Sequence, residues 1–304
     1  MNSPTHLLKF KARLALRFVR RLGHMLRGEA LSTSPIFFAN SFPKSGTHLL
    51  TQVMAGFTRL GPAVESGLPA VVTFDGFTGR QRSPDEILDD LRRFRSGDIG
   101  YGHIHAFPAA VELLSGPSWA TYFILRDPRD VVVSHVHYIA EMAPNHIHHR
   151  YYHEVLTSFD ERLRASITGV PVDELQKTTN DKPVLEPLPD IRSRFEPFLG
   201  WLEHQEVLCL RYEDFITYRD ATLEQVLQHA VQRGFRLAVC RKDALQVLSN
   251  SIDPARSPTF RSGKVGSWRS SFTPEHQELF TEIVGNLLAK LGYGDPVKGN
   301  TNIR

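Results

Sequence analysis

Four short apolar runs mark the chain, and each gives way to polar residues: 36–39, the glycine-bounded stretch from Ile99, 121–125, and the run from Val207. Apolar runs of this length between turn signals predict buried strands. Between them the apolar spacing changes to that of a helix. Leu49, Leu50, Val53, Met54 and Phe57 share one helical face. Ser83-Pro84-Asp85-Glu86 combines a cap, a first-turn proline and acids that suit the helix dipole. It predicts a helix through Ile87, Leu88, Leu91 and Phe94, ended by Gly97. A further helix starts at 195–201. The last, capped by Phe272-Thr273-Pro274-Glu275, runs through Phe280, Ile283, Val284, Leu287, Leu288 and Leu291 to Gly292. The Gly- and Pro-rich segment 61–80 reads as loop lining a substrate entrance.

The chain has 304 residues, 41% of them hydrophobic, enough for a sizeable core. It divides into an N-terminal helix over 1–30 and one α/β domain over 31–304, with a variable, acceptor-side insertion at 139–190. Cys209 and Cys240 lie far apart without metal-ligand or redox spacing, which fits buried thiols in a reducing compartment, with a single disulfide as the alternative. No run of eighteen apolar residues is present.

The net charge of +3 conceals an asymmetry. Residues 1–28 hold seven basic side chains (Lys9, Lys11, Arg13, Arg17, Arg20, Arg21 and Arg27) and no acid, leaving 29 basic against 33 acidic residues, a net of −4. Leu7, Phe10, Leu14, Phe18, Leu22 and Met25 or Leu26 share a helical face. Over residues 5–28 this suits an amphipathic helix on an anionic membrane; docking on its own domain or on a second copy in a homodimer is the alternative. Base-reading modules and aromatic interleaving are lacking, so nucleic acid is not an expected partner.

Three stretches carry candidate chemistry. Pro43-Lys44-Ser45-Gly46-Thr47 joins the first strand to a helix start, where backbone N–H groups lack partners and attract anions. Lys44 adds charge, Ser45 and Thr47 add hydroxyls, and Gly46 permits close approach. The ATP-binding P-loop needs Gly, four residues, then Gly-Lys-Ser/Thr; here the glycine follows the lysine. His103 and His105 alternate along a predicted short strand, which puts both rings on one face. Histidine can accept a proton near neutral pH. Arg126 stands at the carboxyl end of a strand, where open α/β sheets bind ligands, and its planar fork suits phosphate. The chain then turns into a helix through Asp130. His146, His148, His149 and His153 crowd together, either as a metal site or as an exposed, acceptor-facing loop. The proline-rich segment 174–189 reads as a flexible cover for an acceptor pocket.

Pro43 to Thr47 resembles the 5′-phosphosulfate loop of sulfotransferases that use 3′-phosphoadenosine 5′-phosphosulfate. Residues 126–134, Arg-Asp-Pro-Arg-Asp-Val-Val-Val-Ser, resemble that family's 3′-phosphate motif, with Arg126 and Ser134 as the matching ligands. Tyr212-Glu213-Asp214 resembles a segment whose tyrosine contacts adenine. Residues 261–269, Arg-Ser-Gly-Lys-Val-Gly-Ser-Trp-Arg, resemble the closing loop over the 3′-phosphate, with Arg261, Ser262 and Gly263 at binding positions. The resemblance covers roughly 34–295. His48-Leu49 replaces the usual Thr-Trp, and Ala244-Leu245 stands where Ser-Phe is usual, so recognition rests on the phosphates.

The resemblance implies an α/β fold with a P-loop-like central parallel sheet and helices on both faces. It also implies sulfuryl transfer from 3′-phosphoadenosine 5′-phosphosulfate, with 3′-phosphoadenosine 5′-phosphate as product and no metal required. Lys44, Ser45, Gly46, Thr47, His48, Arg126, Ser134, Tyr212, Arg261, Ser262 and Gly263 would bind the donor. His103 would be the base that activates an acceptor hydroxyl or amine, with His105 as second choice and Lys44 stabilising the leaving group. The acceptor would be a small molecule, lipid or glycan. The location would be cytoplasmic, with peripheral contact at the inner face of a membrane as a further expectation. The rivals are a nucleotide-dependent kinase with Asp127 as metal ligand, and a non-catalytic, membrane-associated binder of polyanions.

Overall fold

The computed structural model describes residues 4–26, 28, 30–75, 78–177, 186–257 and 263–294, with side chains from residue 11 onward. The chain divides into two compact units: residues 1–73, 82–125 and 198–260 form the first, and 74–81, 126–197 and 261–304 the second.

The first unit is built on a parallel sheet. Its strands are β1 (Ile36–Ser41), β2 (Val64–Glu65), β3 (Val71–Val72), β4 (Asp98–His103), β5 (Trp119–Leu125) and β6 (Val207–Arg211), in the order β2-β4-β1-β5-β6, with β3 also on β4. Every side chain of β1 and β5 is buried, the pattern of strands covered on both faces. Alternate residues of β1 point opposite ways. Phe37 meets Phe57 at 4.9 Å and Phe235 at 5.2 Å between ring centroids. Phe38 meets Phe94 at 5.9 Å and Trp119 at 6.1 Å. Helices therefore cover the sheet on both faces: α/β, as the sequence implies. Truncating such a buried ring costs about 3–5 kcal/mol.

The N-terminal helix α1 (Pro4–Leu26) belongs to this unit, as do α2 (Thr47–Gly56), α3 (Pro84–Leu91) and α4 (Pro108–Ser115). A capping box opens α3: Ser83 accepts from Glu86 N, and Glu86 accepts from Ser83 N. The helix stops at Leu91 instead of running to Gly97. The buried Asp98 carboxylate accepts from Arg95 N at 2.7 Å and draws the chain into a turn; Phe94 remains in the core. Segment 61–80 is not all loop. The edge of β4 would otherwise hold unpaired backbone groups, and β2 and β3 satisfy them with Val64 and Val71 buried.

The second unit is helical. Its α5 (Pro128–His137) runs into a π-helical turn, Tyr138–Met142, with another at Tyr151–Val155. The helix α6 (Phe159–Thr168) starts from a Ser158–Glu161 capping box. Residues Val172–Gln176 are helical, so the segment expected to be flexible begins as ordered helix, while 178–185 lie outside the described residues. The final helix is two helices, Pro274–Val284 and Leu287–Lys290. Gly285 between them takes φ 53°, a left-handed conformation that stops the first. Likewise the helix expected at 195–201 is a short α-helix, Ile191–Phe195, continued by the 3-10 helix Glu196–Glu203.

Candidate active site

The loop after β1 is organised by its backbone. Lys44 has φ 70°, the only positive φ outside glycine among the described residues, and Gly46 has φ 100°. A non-glycine residue in this region is held there by its surroundings at a cost of about 1–3 kcal/mol, and such residues cluster at functional sites. Gly46 has no alternative: a Cβ there would lie 2.6 Å from the Tyr212 ring and 3.3 Å from Ile124. Leu50 N donates the first bond of α2 to Gly46 O. The preceding N–H groups therefore stand at the positive end of the helix dipole, ready for an anion. The Ser45 hydroxyl is buried without a hydrogen-bond partner. A cradle of backbone donors with an orphaned hydroxyl, Lys44 and a glycine too close to bear a side chain fits a phosphate-like group.

His103 ends β4, whose residues Ile99 to Gly102 pair with Phe37 to Asn40 of β1. Its Nδ1 lies 2.9 Å from Ser41 O. A carbonyl can only accept, so Nδ1 carries the proton and Nε2 of the neutral ring carries the lone pair. Burial pushes the His103 pKa down; the bond to Ser41 pulls it back up, and Lys44 and His48 lower it further. The ring is therefore neutral near pH 7, the state of a general base. Ser41 Oγ stands 3.1 Å from the same Nδ1 and 2.8 Å from Thr47 Oγ1. One hydroxyl thus ties the His103 ring to Thr47, the first residue of α2.

His105 is not on the same strand face, because β4 ends at His103. Asn40 ends the pairing by clamping Ile104: its side chain donates to Ile104 O at 3.0 Å and accepts from Ile104 N at 2.9 Å. Trp201 Nε1 also donates to Ile104 O. The His105 ring packs edge-on to Phe198 at 4.8 Å, and burial lowers its pKa to about 4. His103, by contrast, is joined to Thr47 through Ser41. His48 sits in the first turn of α2, its pKa lowered by partial burial of the ring and by Lys44.

Tyr212 opens the helix Tyr212–Thr217 and is buried in the core with Phe215 and Leu223. Its ring packs under Gly46, so in this structure it shapes the floor of the loop.

In the second unit, Arg126 precedes α5 and donates to Lys264 O at 2.8 Å. Its Nη2 lies 3.3 Å from Asp130 Oδ2. Asp130 is fully buried and accepts from Gly266 N (2.7 Å), Ser267 Oγ (2.8 Å) and Trp268 N (2.9 Å). Such charge-assisted bonds are about twice as strong as neutral ones. Asp130 thus fastens the C-terminal loop to the helix that presents Ser134. Gly263, at φ 62°, begins the described part of that loop; Arg261 and Ser262 lie outside the described residues. Arg129 stacks on Trp268, 4.1 Å from the ring centre.

Asp127 caps α5. Asp127 Oδ1 accepts from Arg129 N, and its carboxylate pairs with the Arg129 guanidinium. In this structure the Asp127 carboxylate is thus taken up by the cap and by Arg129. Among the described residues no group of three His, Cys, Asp or Glu is placed to hold a metal. Of the histidine cluster, His149 Nδ1 donates to Ile139 O, and burial lowers the His148 pKa to about 3.

Asn40, Ser41 and Asp130 do not stand out in the sequence as site-building residues. Their signal was present for two of them, because Asn40-Ser41 are polar residues directly following an apolar strand run.

The family model described as "Sulfotransferase domain" matches residues 121–292, more than half of the chain. The chain belongs to the sulfotransferase family. No curated protein matches the sulfotransferase by sequence. Among solved structures it is similar to a mouse sulfotransferase, SULT7A1, complexed with PAP: 20% identity, 86% of this chain and 90% of that one, TM-score 0.52. It is also similar to retinol dehydratase with androsterone and the inactive cofactor PAP: 16% identity, 83% and 80% coverage, TM-score 0.54. A retinol dehydratase complex with retinol and PAP gives 15% identity, 86% and 85% coverage, and TM-score 0.54. At these identities the likeness is one of fold, and it bears out the α/β architecture with a central parallel sheet.

Proposed function

We propose that this sulfotransferase takes its sulfuryl group from 3′-phosphoadenosine 5′-phosphosulfate, releases 3′-phosphoadenosine 5′-phosphate, and uses His103 as the base. The observation that carries the proposal is the hydrogen-bonded line from Thr47 through Ser41 to His103, which joins a neutral imidazole to an anion-binding loop. When bound, the donor supplies a sulfuryl group on an oxygen that bridges to its 5′-phosphate.

Lys44, Ser45, Gly46, Thr47 and His48 take the phosphosulfate end. Arg126, Ser134, Arg261, Ser262 and Gly263 take the 3′-phosphate, and so hold the donor in position for attack. Tyr212 serves the donor by supporting Gly46. His103 Nε2 removes the proton from an acceptor hydroxyl or amine, and Ser41 O keeps the ring in the tautomer that can do so. Lys44 and the N–H groups of α2 oppose the negative charge that develops on the departing oxygen.

The acceptor is a small molecule, lipid or glycan carrying such a group, and the enzyme is cytoplasmic. Its contact with an anionic membrane, through α1, would bring it to acceptors at that surface. A second copy as partner is the competing assignment for α1.

Transfer of labelled sulfate from the donor to pools of hydroxyl and amine acceptors tests the reading. Wild-type enzyme labels one pool, and His103→Ala lowers turnover by about 10² or more. Wild-type rates in His103→Ala, with slow turnover in His105→Ala, would move the base to His105.

A further inference from the structure

The N-terminal helix is turned the unexpected way round. An amphipathic helix on an anionic surface usually offers its cations to the headgroups. In α1 the basic side points inward. Arg17 Nε donates to Asp98 Oδ1 at 3.2 Å, and Arg17 Nη2 pairs with Asp98 Oδ2. Arg21 Nη1 donates to Asp98 Oδ1 and to Ser96 O, both at 3.0 Å. Arg20 pairs with Glu65 at 2.6 Å, and His24 is buried. Asp98 has no exposure at all, so it depends on these arginines; a buried carboxylate stripped of its partners is costly.

This docking leaves the apolar side facing out. Leu16, Phe18, Val19, Leu22, Met25 and Leu26 are all exposed, Phe18 by 68% and Leu26 by 77%. Exposed apolar side chains gathered in this way mark an interaction surface. Lys11 and Arg13 are exposed on the same helix. Charge decides the occupant. Beyond the three arginines paired with Asp98 and Glu65, residues 1–28 contain four further cations and no acid, so a second α1 laid against this face would meet like charge. An anionic bilayer would receive the apolar side chains and pair with the remaining cations, whose aliphatic stems can lie along the acyl boundary.

We infer that α1 is an arginine-clamped membrane foot: Arg17 and Arg21 lock it to the domain through Asp98, and Phe18, Leu22 and Leu26 enter an anionic bilayer. The inference rests on the membrane contact proposed above and fixes which face makes it. Because the arginines are already engaged, apolar burial is the main source of affinity.

Co-sedimentation of the full chain with phosphatidylcholine vesicles, with and without phosphatidylserine, tests it. Wild type should bind the anionic vesicles and retain most binding from about 0.1 M to about 1 M salt, where the screening length falls from about 10 Å to about 3 Å. Phe18→Glu/Leu26→Glu should bind about tenfold more weakly or worse with an unchanged melting temperature, since both side chains are exposed. Arg17→Gln/Arg21→Gln should instead lower the melting temperature. Wild-type binding by Phe18→Glu/Leu26→Glu, or loss of binding in Arg17→Gln/Arg21→Gln without a change in melting, would overturn the orientation while sparing the membrane contact. Absence of wild-type binding to either vesicle would overturn both. A dimer that Phe18→Glu/Leu26→Glu dissolves would assign the face to a second copy.

Discussion

The two regions proposed to hold the ends of the donor are built on opposite principles. The loop of residues 43–47 is shaped by backbone. A left-handed lysine, a left-handed glycine and a helix start place donors where an anion can meet them. The region around Arg126 is held by charge, because the buried Asp130 collects three donors from a loop 136 to 138 residues further along the chain. A backbone cradle needs only a few adjacent residues. A charge-held one needs a carboxylate and partners remote in sequence. The first should therefore fail through chemistry when altered, and the second through affinity and stability.

The largest effect should come from the backbone loop's cation. Lys44→Ala should cut turnover by about 10² or more with little change in the melting temperature, because it removes stabilisation of developing charge. A fall in stability with retained turnover would show Lys44 to be structural. Asp130→Ala comes next. It leaves Gly266 N, Ser267 Oγ and Trp268 N without their acceptor, and breaking a buried charged network costs about 3–5 kcal/mol. Denaturant unfolding should show that loss, together with a raised donor KM and a lesser change in kcat. An equal fall in kcat alone would place Asp130 closer to the chemistry than to the loop.

The contrast also accounts for what could be read in the sequence. Strand, turn and helix at 36–57 were legible because each signal is local: apolar run, Lys-Ser-Gly, then helical spacing. Residues 126–134 were legible as a strand exit entering a helix, and the structure starts α5 at Pro128. The role of Asp130 was not, since nothing in Arg-Asp-Val says which of two acids caps the helix and which is buried under a remote loop. Asp98 shows the same blindness. It follows a glycine in what looks like a turn, yet it ends α3 early and clamps α1. The basic residues of α1 looked like a membrane-facing set until their buried partner was in view. The break at Gly285 was missed because apolar spacing continues across it.

Gly46→Ala should have a smaller effect. The left-handed backbone penalty is about 1–2 kcal/mol for alanine, and the clash with Tyr212 adds to it. Donor affinity should fall while the unfolding midpoint shifts modestly. An unaffected affinity would mean that the loop relaxes without consequence.

The mildest test is pH. Burial holds His105 and His229 at about 4 and His148 at about 3, below the ordinary 6.5. Between those values the unfolded chain binds more protons than the folded one, so stability rises with pH and is complete above about 6.5. Melting temperatures should fall as pH drops from about 6.5 towards 4. Turnover should fall on its acid side as His103 protonates, at a pH below 6.5 because its pKa is lowered. An acid limb above 6.5 would point to a different base.

The donor is proposed to be a nucleotide with two separated anionic ends, one held by Lys44 and the other by Arg126. Calorimetry with 3′-phosphoadenosine 5′-phosphate and with ATP, on wild type and on Arg126→Ala, measures this binding directly. Tight binding of the first ligand without magnesium, weakened by about tenfold or more in Arg126→Ala as a charge-assisted contact is lost, is the expected result. Preferential binding of ATP with magnesium, or equal affinity in the two proteins, would contradict the account.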